Sequence, residues 1–126
     1  MKVLVVDDSV TLRHHLIELL VTIPGVEILE AGEASEARHT IGTARPDVVV
    51  LDIHMPRGSG IEVLEALRAG GPRPMTIVLT NDPTPQWREA CFRTGADFFF
   101  DKTAEFQQAI NVIARLADKN LHTQTS

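Results

Sequence analysis

The chain has 126 residues, 44% hydrophobic and 23% charged, with a formal net charge of −5. That length holds one well-packed domain and leaves little for a second, and the composition is ordinary for a soluble globular protein. The acidic balance argues against nucleic acid or anionic membrane as direct partners, and the lone Cys91 excludes an internal disulfide or a cysteine-rich metal site.

Val3 to Val6 is a short apolar run stopped by Asp7-Asp8. It reads as a buried strand, and it ends too soon for the apolar region of an export signal. Ser9 caps a predicted helix carrying Leu12, Leu16, Leu19 and Leu20 on one face, ended by Pro24-Gly25. Val26 to Glu30 alternates as a strand with one wetter face. Glu33 to Thr43 is a second helix with Ala34, Ala37 and Ile41 inward and Gly42 weakening its end. Asp47 to Leu51 is the clearest buried strand. Ser59-Gly60 then opens a helix through Ala69, closed by Gly70-Gly71-Pro72. Met75 to Leu79 is the fourth strand, and Thr84-Pro85 begins a helix that Gly95 ends. Asp97 to Phe100 is a fifth strand, with Phe98 and Phe100 on one face and Phe99 on the other. The last helix is expected from about Thr103 to Asp118, with Phe106, Ile110, Ile113 and Ala117 at helical spacing, before a polar, fraying tail. No stretch approaches the roughly 20 apolar residues of a membrane span.

Five strand–helix units with fully apolar inner strands predict an α/β fold: a doubly wound, five-stranded parallel sheet in a flavodoxin-like (βα)5 three-layer sandwich. In such sheets ligands bind outside the carboxyl ends of the strands, near the switch in strand order. The residues there are Asp7 and Asp8 after the first strand, Asp52 after the third, Thr80, Asn81 and Asp82 after the fourth, and Asp101 and Lys102 after the fifth. If Asp7, Asp8 and Asp52 converge, their repulsion is severe: two unit charges ~4 Å apart cost about 4 kcal/mol at an effective dielectric near 20. Such a cluster must protonate or hold a cation, and all-oxygen ligands favour a hard ion such as Mg²⁺. Lys102 can neutralise an incoming phosphoryl group and Thr80 can donate a hydrogen bond to it. Asp52 then has the setting of a nucleophile in covalent phosphoryl transfer.

Taken in order, these features resemble the receiver family of bacterial two-component response regulators, including single-domain members related to the chemotaxis receiver. The matching segments are Val3-Leu4-Val5-Val6-Asp7-Asp8-Ser9, Pro46-Asp47-Val48-Val49-Val50-Leu51-Asp52, Met55-Pro56 with Gly58 and Gly60, Leu79-Thr80, Gly95-Ala96-Asp97 and Asp101-Lys102. The resemblance covers residues 1 to about 119. It implies a receiver domain over 1–119, a polar tail over 120–126 and no output domain. It further implies that Asp52 is the phosphoacceptor and that Asp7, Asp8, Asp52 and the backbone carbonyl of His54 bind Mg²⁺. Thr80 and Lys102 would contact the phosphoryl group, with Phe99 as the aromatic whose rotamer reports phosphorylation. The donor would be a sensor histidine kinase or histidine phosphotransfer protein in a cytoplasmic phosphorelay. Output would pass by protein contact at the fourth helix, fifth strand and fifth helix, with phosphorylation-dependent homodimerisation among the allowed outcomes. The chain departs from the family at Thr103, where proline often follows the lysine across a cis bond. A non-proline cis bond costs about 2.5–4 kcal/mol, so trans is expected. Asn81 replaces a usually small residue and narrows access to Asp52, while His54 and Asp82 flank the acceptor.

Plainer readings stand beside these. Asp7-Asp8 can end a strand and favour the next helix through its dipole. Thr80 can be an ordinary strand-end threonine, Lys102 can pair with Asp101 at the surface, and Phe99 can be core. His14-His15 diverge on a helix and cannot chelate together. Trp87 and Phe92 read as packing residues. Two other functions compete with the signalling switch, which is not a turnover enzyme. One is a haloacid-dehalogenase-like phosphatase, although that family puts its nucleophile after the first strand with a second aspartate where Ser9 stands here. The other is a degenerate receiver that binds partners unphosphorylated. A flavin or dinucleotide carrier lacks its glycine-rich loop.

Overall fold

The computed structural model describes residues 1–55, 58–70 and 73–125, with the side chains of the last helix described to Asn120. Pro56, Arg57, Gly71, Pro72 and the side chains expected to form the polar tail therefore lie outside the described residues. The elements alternate throughout: β1 (Lys2–Val6), α1 (Val10–Leu20), β2 (Glu27–Ala31), α2 (Ala34–Ala44), β3 (Val48–Leu51), α3 (Gly60–Ala69), β4 (Met75–Thr80), α4 (Pro85–Arg93), β5 (Phe98–Asp101) and α5 (Phe106–Thr125). The five strands form one parallel sheet in the order β2-β1-β3-β4-β5. The chain leaves β1 toward β2 and returns to the other side of β1 with β3, so the switch in strand order falls between β1 and β3.

Alternation along the strands divides the core. Val3, Val5, Val48, Val50, Ile77 and Leu79 face α1 and α5, where Leu16, Leu20, Ala109 and Ile113 meet them. Leu4, Val6, Val49, Leu51 and Val78 face α2, α3 and α4, packing on Ala37, Val63, Leu64 and Cys91. Phe99 joins this second layer, while Phe98 and Phe100 stack 5.9 Å apart on the first, as the pleat requires. Full burial of an aliphatic side chain contributes ~1.5–3 kcal/mol, so these two layers provide the main driving force for the fold.

The helix starts follow their capping residues. Ser9, Ser59 and Thr84 accept from the backbone of Leu12, Ile61 and Trp87. Helix α5 departs from expectation at both ends. It begins at Phe106 because Asp101 first accepts from the amides of Thr103 (2.7 Å) and Ala104 (3.2 Å), while Glu105 accepts from the Asp101 amide (3.0 Å). That local network holds the chain in a turn. The helix continues to Thr125 because no glycine or proline after Asp118 interrupts it. The Lys102-Thr103 bond is trans, as expected.

Cys91 is fully buried, and burial pushes its thiol up to about 11. The native protein should therefore resist an aromatic disulfide reagent that modifies the unfolded chain at once. Because the native thiol holds its proton more tightly, its contribution to stability is complete below 9.0 and is lost as pH rises toward about 11. Rapid modification of the folded protein at neutral pH would contradict this placement.

Candidate functional site

The register Val6↔Leu51 puts the residues after β1 and β3 side by side at the switch point. The Asp52 amide donates to the Val6 carbonyl (3.1 Å) and the Asp7 amide to that of Ala31 (3.1 Å), so both positions are fixed by sheet hydrogen bonds. Each carboxylate is then aimed by a neighbouring amide. Asp7 Oδ1 accepts from Ser9 (2.9 Å) and Asp52 Oδ1 from His54 (3.1 Å). The carboxylates of Asp7, Asp8 and Asp52 bring ligand oxygens within 4.8 Å of one another. Asp7 and Asp52 are buried and Asp8 is exposed.

The turn after Asp52 depends on two glycines. Gly58 has φ +85°, and a β-carbon there would stand 2.8 Å from the β-carbon of Ala34. At Gly60 an added β-carbon would lie 2.6 Å from both the Asp52 carbonyl oxygen and the Ile53 α-carbon. Those neighbours are backbone and cannot swing aside. Gly60→Ala should cost ~1–3 kcal/mol and displace Asp52, read as a fall in midpoint denaturant concentration. An unchanged midpoint would mean the turn adjusts freely.

Lys102 answers the charge of the two buried carboxylates. From β5 its side chain crosses β4, and Nζ donates to Asp7 Oδ2 at 2.7 Å and Asp52 Oδ2 at 3.1 Å. Burial acts to lower its pKa, but the hydrogen bond to Asp7 and the charges of Asp52 and Asp7 outweigh it and hold the ammonium above its ordinary value. A surface pairing with Asp101 is therefore not what Lys102 does; Asp101 is engaged by the turn into α5. Asp7, Asp8, Asp52, His54, Asn81 and Lys102 line one pocket of about 240 Å³.

Thr80 and Phe99 stand apart from that pocket. Thr80 is fully buried at the end of β4, where its hydroxyl oxygen accepts from the Asp82 amide at 3.1 Å. Phe99 is buried beside α4. The Arg88 guanidinium lies 5.8 Å from its ring and 5.1 Å from that of Phe92, and Nη1 donates to the Phe99 carbonyl (3.4 Å).

Two arrangements escaped the sequence. Arg13 donates to the Asp7 carbonyl (2.6 Å) and to Glu30 (2.9 Å), tying α1 and β2 to the acidic loop. Its place one turn after Ser9 was the available signal, but nothing in the spacing showed that Glu30 would face it. His54 Nε2 meets Asp82 Oδ2 at 3.1 Å, and the His54 ring stands edge-on to Trp87, centroids 5.0 Å apart. Trp87 is thus a packing residue that also supports the rim of the site. His14 and His15 diverge as expected, one toward Glu30 and the other stacked on Phe106.

The three-carboxylate set fits a hard divalent cation. Its donors are all oxygen, and among the described residues only one cation, Lys102, pairs with them. Asp7, Asp8 and Asp52 are the residues that would hold such an ion.

The chain is similar to known proteins over most of its length. The sequence matches the response regulator receiver domain family over residues 3–114. A protein-glutamate methylesterase/protein-glutamine glutaminase from Rhizobium etli is 41% identical over 90 residues, covering 71% of this chain and 25% of that protein. The DNA-binding transcriptional activator DevR/DosR of Mycobacterium tuberculosis is 40% identical over 81 residues, covering 64% of this chain and 37% of that protein. The chain thus spans about a quarter to a third of the length of these relatives. Among solved structures, the response regulator domain of Thermotoga maritima CheB superposes with a TM-score of 0.80 at 26% identity, covering 94% of each chain. A CheY-like receiver domain protein from Methanospirillum hungatei shares the fold, with a TM-score of 0.82 at 22% identity over 97% of each chain.

Proposed function

The chain belongs to the response regulator receiver domain family, and from that premise we propose that it is a cytoplasmic phosphorelay switch whose Asp52 accepts a phosphoryl group from a phosphohistidine. The observation that carries the reading is the shared Lys102 ammonium on Asp7 and Asp52 beside the exposed Asp8. This arrangement pairs a fixed nucleophile with a cation on one side and the exposed Asp8 carboxylate on the other.

In this reading an Asp52 oxygen attacks the phosphorus. The new O–P bond forms as the P–N bond to the donor imidazole breaks, and the nitrogen keeps the bonding pair. Lys102 releases part of its hold on Asp52 and follows the negative charge onto a phosphoryl oxygen. The His54 amide keeps the acceptor carboxylate in place through the transfer, and the His54 carbonyl would serve as a further ligand to Mg²⁺. Thr80 turns from accepting the Asp82 amide to donating to the phosphoryl group, which leaves space beside β4. Phe99 moves into that space, and to do so it must leave the Arg88 guanidinium. The α4–β5–α5 face then changes for a partner protein, and a second copy is one such partner. A haloacid-dehalogenase-like phosphatase would instead place its nucleophile after β1.

The test is mass spectrometry of the full chain after incubation with Mg²⁺ and acetyl phosphate, or with a phosphorylated histidine protein. One phosphoryl adduct, labile to hydroxylamine, is expected; none with either donor would favour the unphosphorylated binding module. Asn81 lines the pocket and is exposed. Asn81→Ala should speed uptake from the small donor several-fold while changing stability by no more than about 0.5 kcal/mol. An unchanged rate would show that Asn81 does not restrict access.

A further inference from the structure

A larger cavity, about 590 Å³, lies at the opposite end of the sheet, where β3 and β4 begin. Its size is within the ~300–1,000 Å³ of small-molecule sites. Ile41, Leu67 and Pro74 give it apolar surface, and Arg38, Arg45 and Arg73 border it. Asp47 is the one carboxylate among its lining residues, and it is engaged: Oδ2 accepts from the Lys2 amide at 2.8 Å.

The three arginines differ from most of the others in the chain. Arg13 pairs with Glu30, Arg93 with Glu89, Arg88 lies on two phenyl rings and Arg68 reaches the Arg93 carbonyl. The exposed side chains of Arg38, Arg45 and Arg73 make no ion pair or hydrogen bond with another described residue. The sequence shows why for Arg38. The positions three and four away along α2 are Ala34, Ser35, Ile41 and Gly42, so no helical ion pair can form. Arg45 ends α2 at φ +49°, the sole non-glycine with positive φ among the described residues, where glycine or asparagine is the easier occupant. Compensation of a helix C-terminus would account for Arg45. It does not account for Arg38, in the second turn of α2, or for Arg73, which precedes β4 and packs its Nη1 over Gly95.

Three guanidinium groups without a partner among the described residues exceed what one carboxylate requires, and their planar forks suit phosphate oxygens. We propose that this cavity binds a phosphorylated small molecule with a ring-bearing body, of the nucleoside diphosphate class, at a site separate from Asp52. The inference does not rest on phosphoryl transfer at the acidic pocket.

The experiment is a titration of the full chain followed by backbone amide NMR, in a chelator-containing buffer so that no metal can recruit nucleotide to the acidic end. The probes are ADP, inorganic pyrophosphate, adenosine and a short acidic peptide. ADP should bind in a one-to-one ratio, more tightly than pyrophosphate or adenosine, with shifts around Ile41, Arg45 and Leu67. Arg38→Ala and Arg73→Ala should each weaken it about tenfold, the loss of one charge-assisted contact. Arg45→Asn, which keeps the left-handed cap, should do the same, while Asp52→Asn should leave binding unchanged. No ADP binding, equal affinity in the arginine variants, or shifts centred on Asp7 and Asp52 would overturn the proposal. So would a response to the acidic peptide alone, which would mark a protein-docking surface.

Discussion

Asp52→Asn should reduce phosphoryl uptake to background, at least a hundredfold below the parent, when both are incubated with Mg²⁺ and a small phosphoryl donor. Asparagine keeps the volume of the side chain and an oxygen to accept from the His54 amide at Oδ1. What it loses is the anionic oxygen that forms the O–P bond, and an amide does not replace that nucleophile at neutral pH. Lys102 still has Asp7, so the ammonium does not lose its only partner, and the variant should fold. The measurement therefore separates chemistry from collapse: an intact amide spectrum together with no adduct supports Asp52 as acceptor. Asp8 is the control that matters, because it is exposed in the same pocket and is also a carboxylate. An adduct that survives in Asp52→Asn and maps to Asp8 would reassign the acceptor.

Much of the fold was legible because its signals are local. The apolar runs Val3–Val6 and Val48–Leu51 stop at aspartates, capping residues stand at Ser9, Ser59 and Thr84, and Phe98-Phe99-Phe100 divides by pleat. The ends of α5 were not, since both depend on competition. The Asp101–Glu105 network delays the start, and the absence of a breaker lets the helix run on. The site was legible to the extent that topology decides it. Parallel strands in this order bring Asp7 and Asp52 together whatever the loops do. Pairings that depend on side-chain reach were not legible. Arg13 to Glu30 and His54 to Asp82 join residues 17 and 28 positions apart, and no periodicity encodes such contacts. The buried, pocket-averted state of Thr80 belongs to the same class, because a strand-end threonine can turn either way.

Lys102→Met should destabilise the metal-free protein by about 3–5 kcal/mol, the range for removing one member of a buried ion pair. Methionine fills a similar volume, so the loss is electrostatic and no large cavity opens. Asp7 and Asp52 would then face each other with side chains about one-tenth exposed and no cation between them. Mg²⁺ offers a replacement. Its addition should raise the melting temperature of Lys102→Met more steeply than that of the parent, in which the ammonium already shares both carboxylates. Lys102→Arg should recover part of the stability, because the charge returns, but not the phosphoryl uptake, because a planar fork cannot follow charge from Asp52 to the new oxygen as a point cation does. Lys102 is held above its ordinary value of 10.5, so its contribution is complete below that pH and is lost only as pH climbs through the raised value. Titration of Lys102 itself should therefore add no pH dependence to the parent–variant difference across the neutral range. A difference below about 1 kcal/mol, with equal Mg²⁺ dependence in both proteins, would place Lys102 with ordinary surface pairs. The acidic pocket would then need another source of charge balance.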